Sequence, residues 1–137
     1  MTAPARRRRG ATVLVAVLAP ALVWLVTEPL LGHRLRITDA EAGETLDIGL
    51  LPVAVLALLI SLLGWALLAA LERWTPRPRL IWSVSACSVL LLSFLPLTGS
   101  GMSTGTRTSL ALMHVAVAAV LMTGLPARDT AVRRRTP

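Results

Sequence analysis

Four long apolar runs fill most of this chain, and they constrain its fold more than any other feature does. They cover residues 11–31, 48–71, 80–97 and 108–125. A helix needs about 20 apolar residues, each rising 1.5 Å, to cross about 30 Å of hydrocarbon. We therefore predict an all-α fold, a bundle of four transmembrane helices that occupies residues 11–125.

The composition supports this prediction over a soluble fold. The chain has 137 residues, of which 55% are hydrophobic and 15% are charged, and its mean hydropathy is +0.71. An ordinary soluble domain carries about 25% charged residues to cover its surface. Four spans and their links use nearly the whole chain, so no room remains for a separate soluble domain.

Arginine supplies all 14 positive charges, and its distribution predicts the orientation of the bundle. Eleven arginines precede the first run, separate the second run from the third, or follow the fourth: Arg6, Arg7, Arg8, Arg9, Arg73, Arg77, Arg79, Arg128, Arg133, Arg134 and Arg135. The other two links hold Arg34, Arg36 and Arg107. Short arginine-rich links stay in the cytoplasm. We expect a multi-pass protein of the plasma membrane with both termini cytoplasmic.

The two ends of the chain are predicted to be basic cytoplasmic tails, residues 1–10 and 126–137. The first run also resembles a signal peptide, because Ala19-Pro20-Ala21 imitates a cleavage site after four arginines. Its apolar character continues through Val26, however, and cleavage would discard half of a span. We expect the first run to remain as a helix that kinks at Pro20 and ends or bends near Glu28.

The link between the first two runs, residues 32–47, is the only sizeable polar segment. Residues 34–38 and 44–48 each alternate polar and apolar side chains, and Gly43 favours a turn between them. This pattern is typical of a short β-hairpin resting on the outer ends of the helices. An irregular solvated loop fits the same composition, so both interpretations stay open.

The net charge of +7 raises the question of nucleic-acid binding. The arginines flank apolar runs and form no basic face with interleaved aromatic residues, so we exclude that class. The partners that this pattern favours are anionic lipid headgroups, with a protein partner or a second copy of the chain as a further possibility. Cys87 is the only cysteine, which excludes an intramolecular disulfide and chemistry based on cysteine pairs.

Small and aromatic residues give weaker signals about packing. Ala57, Ser61 and Gly64 lie on one face of the second predicted helix and favour close approach of a neighbouring helix. Trp74 and Trp82 bracket the short link between the second and third helices. Since tryptophan prefers the level of the headgroups, we expect both to mark the cytoplasmic interface.

Two ionisable residues within the predicted spans are candidates for a function, because burying charge in a membrane is costly. Glu28 lies near the outer end of the first helix, and His114 lies about two turns into the fourth. The predicted topology puts them at similar depth, so an intramembrane Glu28–His114 pair is one hypothesis. The alternatives are a glutamate that reaches headgroup water and a neutral histidine that makes an interhelical hydrogen bond.

No established ligand spacing predicts a metal site or a cofactor. His33 lies at the same outer surface as Glu28 and His114, but a loop histidine at this spacing matches neither a zinc site nor a haem pocket. The acidic residues of the outer loop do not match a calcium loop. We therefore expect no metal, no cofactor and no catalytic residue.

Three segments carry a resemblance to a known family. They are Gly64–Leu68 with Leu71–Arg73, then Leu91–Leu97, and finally Leu110–Val115 with Ala118–Leu121. Their order and spacing resemble a family of uncharacterised small four-helix membrane proteins from actinobacteria, a domain of unknown function. The resemblance covers residues 11–125. It implies a four-helix integral membrane protein and supplies no activity, ligand or site residue.

Three functions remain as hypotheses. The first is a non-enzymatic membrane protein that acts through helix packing, lipid contacts or partner contacts. The second is a small proton-coupled transporter that uses Glu28, although Glu28 lies nearer the outer edge than the glutamate of small multidrug exporters. The third is a membrane enzyme on a lipid or isoprenoid substrate, with Glu28 or His114 as acid or base.

Overall fold

The computed structural model describes residues 3–32, 34–38, 44–99 and 101–126. Its four α-helices are α1 (Ala3–Leu25), α2 (Leu50–Trp74), α3 (Pro78–Ser93) and α4 (Thr104–Gly124). A π-helical turn, Val26–Leu30, extends α1, and a 3₁₀ turn, Leu95–Thr98, extends α3. The short strands β1 (Arg36–Thr38) and β2 (Thr45–Asp47) lie between α1 and α2. All four helices are long and apolar enough to cross a membrane, so the predicted fold class is confirmed.

The helix bounds differ from the predicted ones mainly at N-termini. Helix α1 begins at Ala3, so the described part of the predicted tail is helical and not a separate segment. Alanine and arginine are strong helix formers, and the helix simply continues through them. Helix α4 begins four residues early, because the Ser103 hydroxyl caps it by accepting a hydrogen bond from Thr106 N at 3.1 Å. Residues 127–137 of the other predicted tail lie outside the described part.

The helices alternate in direction along the bundle. Helix α1 packs against both α2 and α4, and α3 packs against α2 and α4. The buried core consists of Ala16, Leu68, Trp82, Leu121 and Leu125. We call the end that holds the start of α1, the α2–α3 link and the end of α4 the arginine end. The opposite end, which holds both strands and residues 98–99 and 101–103, is the hairpin end.

Trp82 does not mark an interface, contrary to the prediction. Its side chain is only 2% exposed, and its indole N–H donates a hydrogen bond to the Gly64 carbonyl oxygen at 2.9 Å. Trp74, by contrast, is 78% exposed. A large ring with a single donor is well suited to the core when a carbonyl group accepts from it. Trp82 therefore joins α3 to α2.

The small-residue face of α2 is a packing surface, as predicted. Ala57 and Ser61 are buried, and the Ser61 hydroxyl donates to the Ala57 carbonyl oxygen at 2.6 Å within the same helix. Gly64 lies against the end of α4: a Cβ placed on it would be 3.8 Å from Leu125 Cδ1 and 3.9 Å from Leu121 Cδ1. These are ordinary van der Waals distances, so Gly64 lies at the contact of α2 with α4 and the Trp82 ring, and a methyl group would fit there as well.

The link between α1 and α2 forms a β-hairpin, which was one of the two predicted alternatives. Strands β1 and β2 are antiparallel, with Arg36 opposite Asp47 and Thr38 opposite Thr45. The guanidinium Nε of Arg36 donates to Asp47 Oδ1 at 2.6 Å. Gly43, which was predicted to form the turn, lies outside the described residues.

The link between α3 and α4 continues this hairpin and stabilises its position. Ile37 forms an antiparallel bridge with Met102, and Thr38 N donates to the Gly101 carbonyl oxygen at 2.9 Å. Gly101 has a φ of +95°, and a Cβ at this residue would collide with the Thr38 carbonyl group. Only glycine fits this close approach without strain. Leu35, which precedes β1, is 1% exposed, and its carbonyl oxygen accepts a hydrogen bond from Ile48 N at 2.8 Å.

Candidate functional site

Glu28 lies in the π-helical turn that ends the first span. Pro29 follows it and has no N–H, so the α-helical hydrogen-bond pattern is interrupted at this point. Leu31 N instead bonds to Val26 O at 3.1 Å, five residues earlier, which is the π-helical spacing. The Glu28 side chain is half-buried, and its buried Oε2 atom has no hydrogen-bond partner among the described residues. The predicted bend near Glu28 is therefore a π-helical turn.

His114 is held by its own helix and by an aromatic neighbour. Its Nδ1 atom is 2.6 Å from the Leu110 carbonyl oxygen, one turn earlier in α4. Because a carbonyl oxygen accepts, we assign the proton to Nδ1, which leaves Nε2 as the acceptor in a neutral ring. The ring packs against Phe94, with 6.3 Å between the centroids. The hydrogen bond of His114 is thus intrahelical and not interhelical.

The hypothesis of a Glu28–His114 pair stays a prediction. Within the described ranges, no hydrogen bond or ion pair joins the two side chains. No group of three or more His, Cys, Asp or Glu side chains in these ranges is placed to hold a metal ion. His33, the third residue weighed for a metal site, lies outside the described part of the chain.

The arginine end contains an ion pair that sequence analysis missed. Arg9 on α1 and Glu72 on α2 form a two-pronged salt bridge, with Nη1 donating to Oε2 at 3.0 Å and Nη2 donating to Oε1. The Arg9 side chain is 5% exposed, and that of Glu72 is 34% exposed. Paired hydrogen bonds of this kind fix the orientation of both groups. The pair therefore positions the start of α1 against the end of α2.

The sequence held one signal for this pair. Glu72 is the only acidic residue in the short link region beside Arg73, Arg77 and Arg79. A single acid among basic residues indicates a partner nearby, but it does not select which of the arginines is the partner. The selection depends on how α1 packs against α2, because Arg9 alone of the first four arginines is buried.

The remaining arginines of this end are exposed and give it a strong positive charge. The described part holds seven arginines and one glutamate here, so its net charge is +6: Arg6, Arg7, Arg8, Arg9, Arg73, Arg77, Arg79 and Glu72. The described part of the hairpin end holds three arginines and three acids, so its net charge is zero: Arg34, Arg36, Arg107, Glu28, Glu44 and Asp47. One end of the bundle therefore attracts anions and the other does not.

Two hollows open at the arginine end. The larger, about 560 Å³, is lined by Ala3, Arg6, Arg7 and Trp65. The second, about 330 Å³, is a groove between α1 and α4. Both place arginine side chains beside apolar surface. Such a combination suits a molecule with an anionic group and a hydrocarbon part.

Comparison with known proteins identifies a family whose function is unknown. A family of unknown function, DUF6069, matches residues 1–131. Neither a curated protein nor a solved structure matches the chain significantly. The match covers nearly the whole chain, so the four-helix unit and its arginine end are both part of the matched region.

Proposed function

The chain belongs to the DUF6069 family of unknown function, and from this premise we propose that it is a non-enzymatic membrane protein whose arginine end binds anionic lipid headgroups. The proposal places this end, with both termini, at the cytoplasmic face of the cell membrane. The helices supply a rigid support, and the exposed arginines supply the contact with lipid.

The difference in charge between the two ends carries the proposal. The described part of the arginine end has a net charge of +6, whereas the described part of the hairpin end has a net charge of zero. Each arginine near an anionic membrane surface contributes about 1 kcal/mol of attraction. Arg6, Arg7 and Arg8 are exposed on consecutive positions of a helix, so several charges reach the headgroup level together.

The same asymmetry supports the orientation. Arginine in short links is retained on the cytoplasmic side during insertion. The cytoplasmic leaflet is also the one with the more negative surface. Membrane insertion and lipid binding thus both favour an orientation in which the arginine end faces the cytoplasm.

In the described residues, the ionisable groups within the spans are not paired as an acid and a base. Acid–base catalysis requires groups within hydrogen-bond reach of each other or of a common substrate. His114 bonds to a backbone carbonyl, and Glu28 has no side-chain partner among the described residues. A membrane enzyme that uses these two residues stays a prediction without a supporting contact.

Native mass spectrometry of the full chain tests the proposal. The protein is released from detergent after incubation with phosphatidylglycerol or with phosphatidylcholine of the same chains. We expect phosphatidylglycerol to be retained preferentially, and less so at high salt, because charge attraction is screened. Equal retention of the two lipids would contradict the proposal.

A matched pair of variants controls for the location of the charge. Arg6→Gln with Arg7→Gln removes two charges from the arginine end, and Arg34→Gln with Arg36→Gln removes two from the hairpin end. We expect only the first double variant to lose its preference for the anionic lipid, by roughly tenfold or more for two charges at about 1 kcal/mol each. An equal loss in both would place the binding elsewhere.

A second candidate function follows from Glu28. A buried carboxylate oxygen without a hydrogen-bond partner in the described structure is costly within a span, and such groups mark proton or ion pathways. The corresponding proposal is proton-coupled transport through Glu28. Loss of proton-driven efflux from proteoliposomes in Glu28→Gln, with efflux intact in Glu44→Gln, would support it.

A further inference from the structure

The groove between α1 and α4 is lined by residues that recur at helical spacing. Its α1 side includes Arg8, Ala11 and Val15, which lie three and four residues apart on one helix face. Val120 faces them from α4. The groove runs from the arginine end toward the middle of the spans. From Arg8 to Val15 it extends about 10 Å along the helix axis, at 1.5 Å per residue.

A close contact between the two helices forms the floor of the groove. A Cβ placed on Gly124 would be 2.6 Å from Thr12 Oγ1 and 3.1 Å from Thr12 Cβ. The helix backbones therefore approach each other at this point because Gly124 has no side chain. Ala11 beside this contact is small and exposed, so space remains open on the outer side.

The walls of the groove are apolar in spite of two threonines. The Thr12 hydroxyl donates to the Arg8 carbonyl oxygen at 3.1 Å, and the Thr123 hydroxyl donates to the Ala119 carbonyl oxygen at 2.7 Å. Both hydroxyl groups thus satisfy their donors within their own helices. What the groove offers to an occupant is mostly methyl groups, including those of Val15 and Val120.

Arg8 supplies the charge at the mouth of the groove. It is exposed, and its guanidinium group has no hydrogen bond or ion pair within the described part of the chain. Its neighbour Arg9 is buried and bonded to Glu72, so the two adjacent arginines have different roles. A free guanidinium group matches the geometry of a phosphate group and binds it by charge-assisted hydrogen bonds.

We propose that this groove is a specific site for one anionic phospholipid, with Arg8 bonded to the phosphate and an acyl chain lying against Ala11, Val15 and Val120. This inference rests on the proposed lipid-binding function and assigns it a defined site. A phospholipid fits better than a soluble phosphate, because the apolar walls contribute only if the ligand has a hydrocarbon chain.

Three probes distinguish the contribution of the lipid headgroup to binding from that of the acyl chain. Native mass spectrometry of the purified full chain is carried out with phosphatidylglycerol, with phosphatidylcholine of the same chains, and with glycerol phosphate. We expect one phosphatidylglycerol molecule to bind most tightly. Weak binding of glycerol phosphate is expected, because it lacks the chain. Equal binding of glycerol phosphate and phosphatidylglycerol would contradict a chain-binding groove.

Two pairs of variants localise the site. Arg8→Gln should weaken phosphatidylglycerol binding roughly tenfold, since it removes the charge-assisted hydrogen bonds to phosphate. Arg73→Gln removes the same charge from the same end but lies outside the groove, so it should weaken binding less than Arg8→Gln does, by about fivefold at most for one charge at about 1 kcal/mol. Ala11→Phe should fill the groove and weaken binding, whereas Ala66→Phe, at an exposed position of α2, should leave binding unchanged.

The outcomes distinguish this inference from the function on which it rests. If Arg8→Gln and Arg73→Gln weaken binding equally, or if Ala11→Phe has no effect, the groove is not the site, although the arginine end still binds anionic lipid. If the unaltered protein does not prefer phosphatidylglycerol over phosphatidylcholine, the proposed function itself is wrong. The unfolding temperature of each variant shows whether its fold is retained.

Discussion

At the scale of single residues, residues of the same type that lie close together in the sequence have different surroundings in the structure. Arg8 and Arg9 are adjacent, yet one is exposed and the other is buried against Glu72. Trp74 and Trp82 flank one short link, yet one is 78% exposed and the other 2%. Residue type alone predicts that these side chains prefer an interface. Which of them is buried depends on the helix face that each occupies.

Glu28→Gln tests whether Glu28 has a partner. Its Oε2 atom is buried and lacks a hydrogen-bond partner among the described residues. A neutral amide costs less to bury than a carboxylate without a partner. We therefore expect the free energy of unfolding to rise by about 1 kcal/mol, measured by reversible unfolding in mixed micelles.

Glu44→Gln is the matched control, because Glu44 is exposed beside the hairpin. A surface substitution of this kind should change the free energy of unfolding by less than about 0.5 kcal/mol. A loss of stability in Glu28→Gln would contradict the expectation and favour the Glu28–His114 pair instead.

At the scale of elements, helix α1 differs most from its predicted form. With its π-helical turn it extends over Ala3–Leu30, which is 28 residues. At 1.5 Å per residue its length is about 42 Å, more than the hydrocarbon of a bilayer requires. The extra turns present the first four arginines as part of a helix. Their positions around that helix, and not only their number, therefore determine which of these arginines are exposed.

Two glycines in the helices give opposite predictions for substitution by alanine. Gly124 packs against Thr12, and a Cβ there would collide with the Thr12 side chain, which is stiff because it is β-branched. Gly124→Ala should therefore lower the free energy of unfolding by about 1–3 kcal/mol through overpacking. The measurement is the shift of the unfolding transition in mixed micelles.

Gly10→Ala is the control within α1. No atom lies within 4 Å of a Cβ at this position, and the residue is exposed. Alanine favours a helix over glycine by about 1 kcal/mol, so stability should rise. A loss of stability in Gly10→Ala, or none in Gly124→Ala, would show that the helix start or the α1–α4 contact is not as described.

At the scale of the whole molecule, the two ends of the bundle differ in charge and in the structure that covers them. Exposed arginines cover one end, and a hairpin bonded to the α3–α4 link covers the other. The predicted topology assigns eleven of the 14 arginines to one side of the membrane, and this bias disfavours a protein that inserts equally in both orientations.

Cysteine labelling tests the orientation. In a Cys87→Ala background, Thr45→Cys places a thiol on the hairpin and Pro76→Cys places one in the α2–α3 link; both positions are exposed. A maleimide that does not cross membranes should label Thr45→Cys in intact cells and Pro76→Cys only after lysis. The reverse pattern would mean that the arginine end faces outward.

Sequence alone predicts the four candidate spans, the fold class and the charge asymmetry, and it leaves a hairpin and an irregular loop as alternatives for the link between α1 and α2. These depend on the period and length of apolar runs, on alternation in a short link and on the positions of arginines, all of which are local properties. The small-residue face around Ser61 was also predictable, because it lies on one helix. The resemblance to a family of unknown function was confirmed by its match to residues 1–131.

Which side chains meet depends on how the helices pack against one another. The Arg9–Glu72 bridge, the Trp82–Gly64 hydrogen bond and the Thr12–Gly124 contact join residues from 18 to 112 positions apart. Such contacts depend on the rotation and depth of each helix against its neighbours, and a hydrophobic pattern of similar strength all round a membrane helix specifies neither. The groove beside Arg8 exists for the same reason, since it is formed by two helices that the sequence does not show to be in contact.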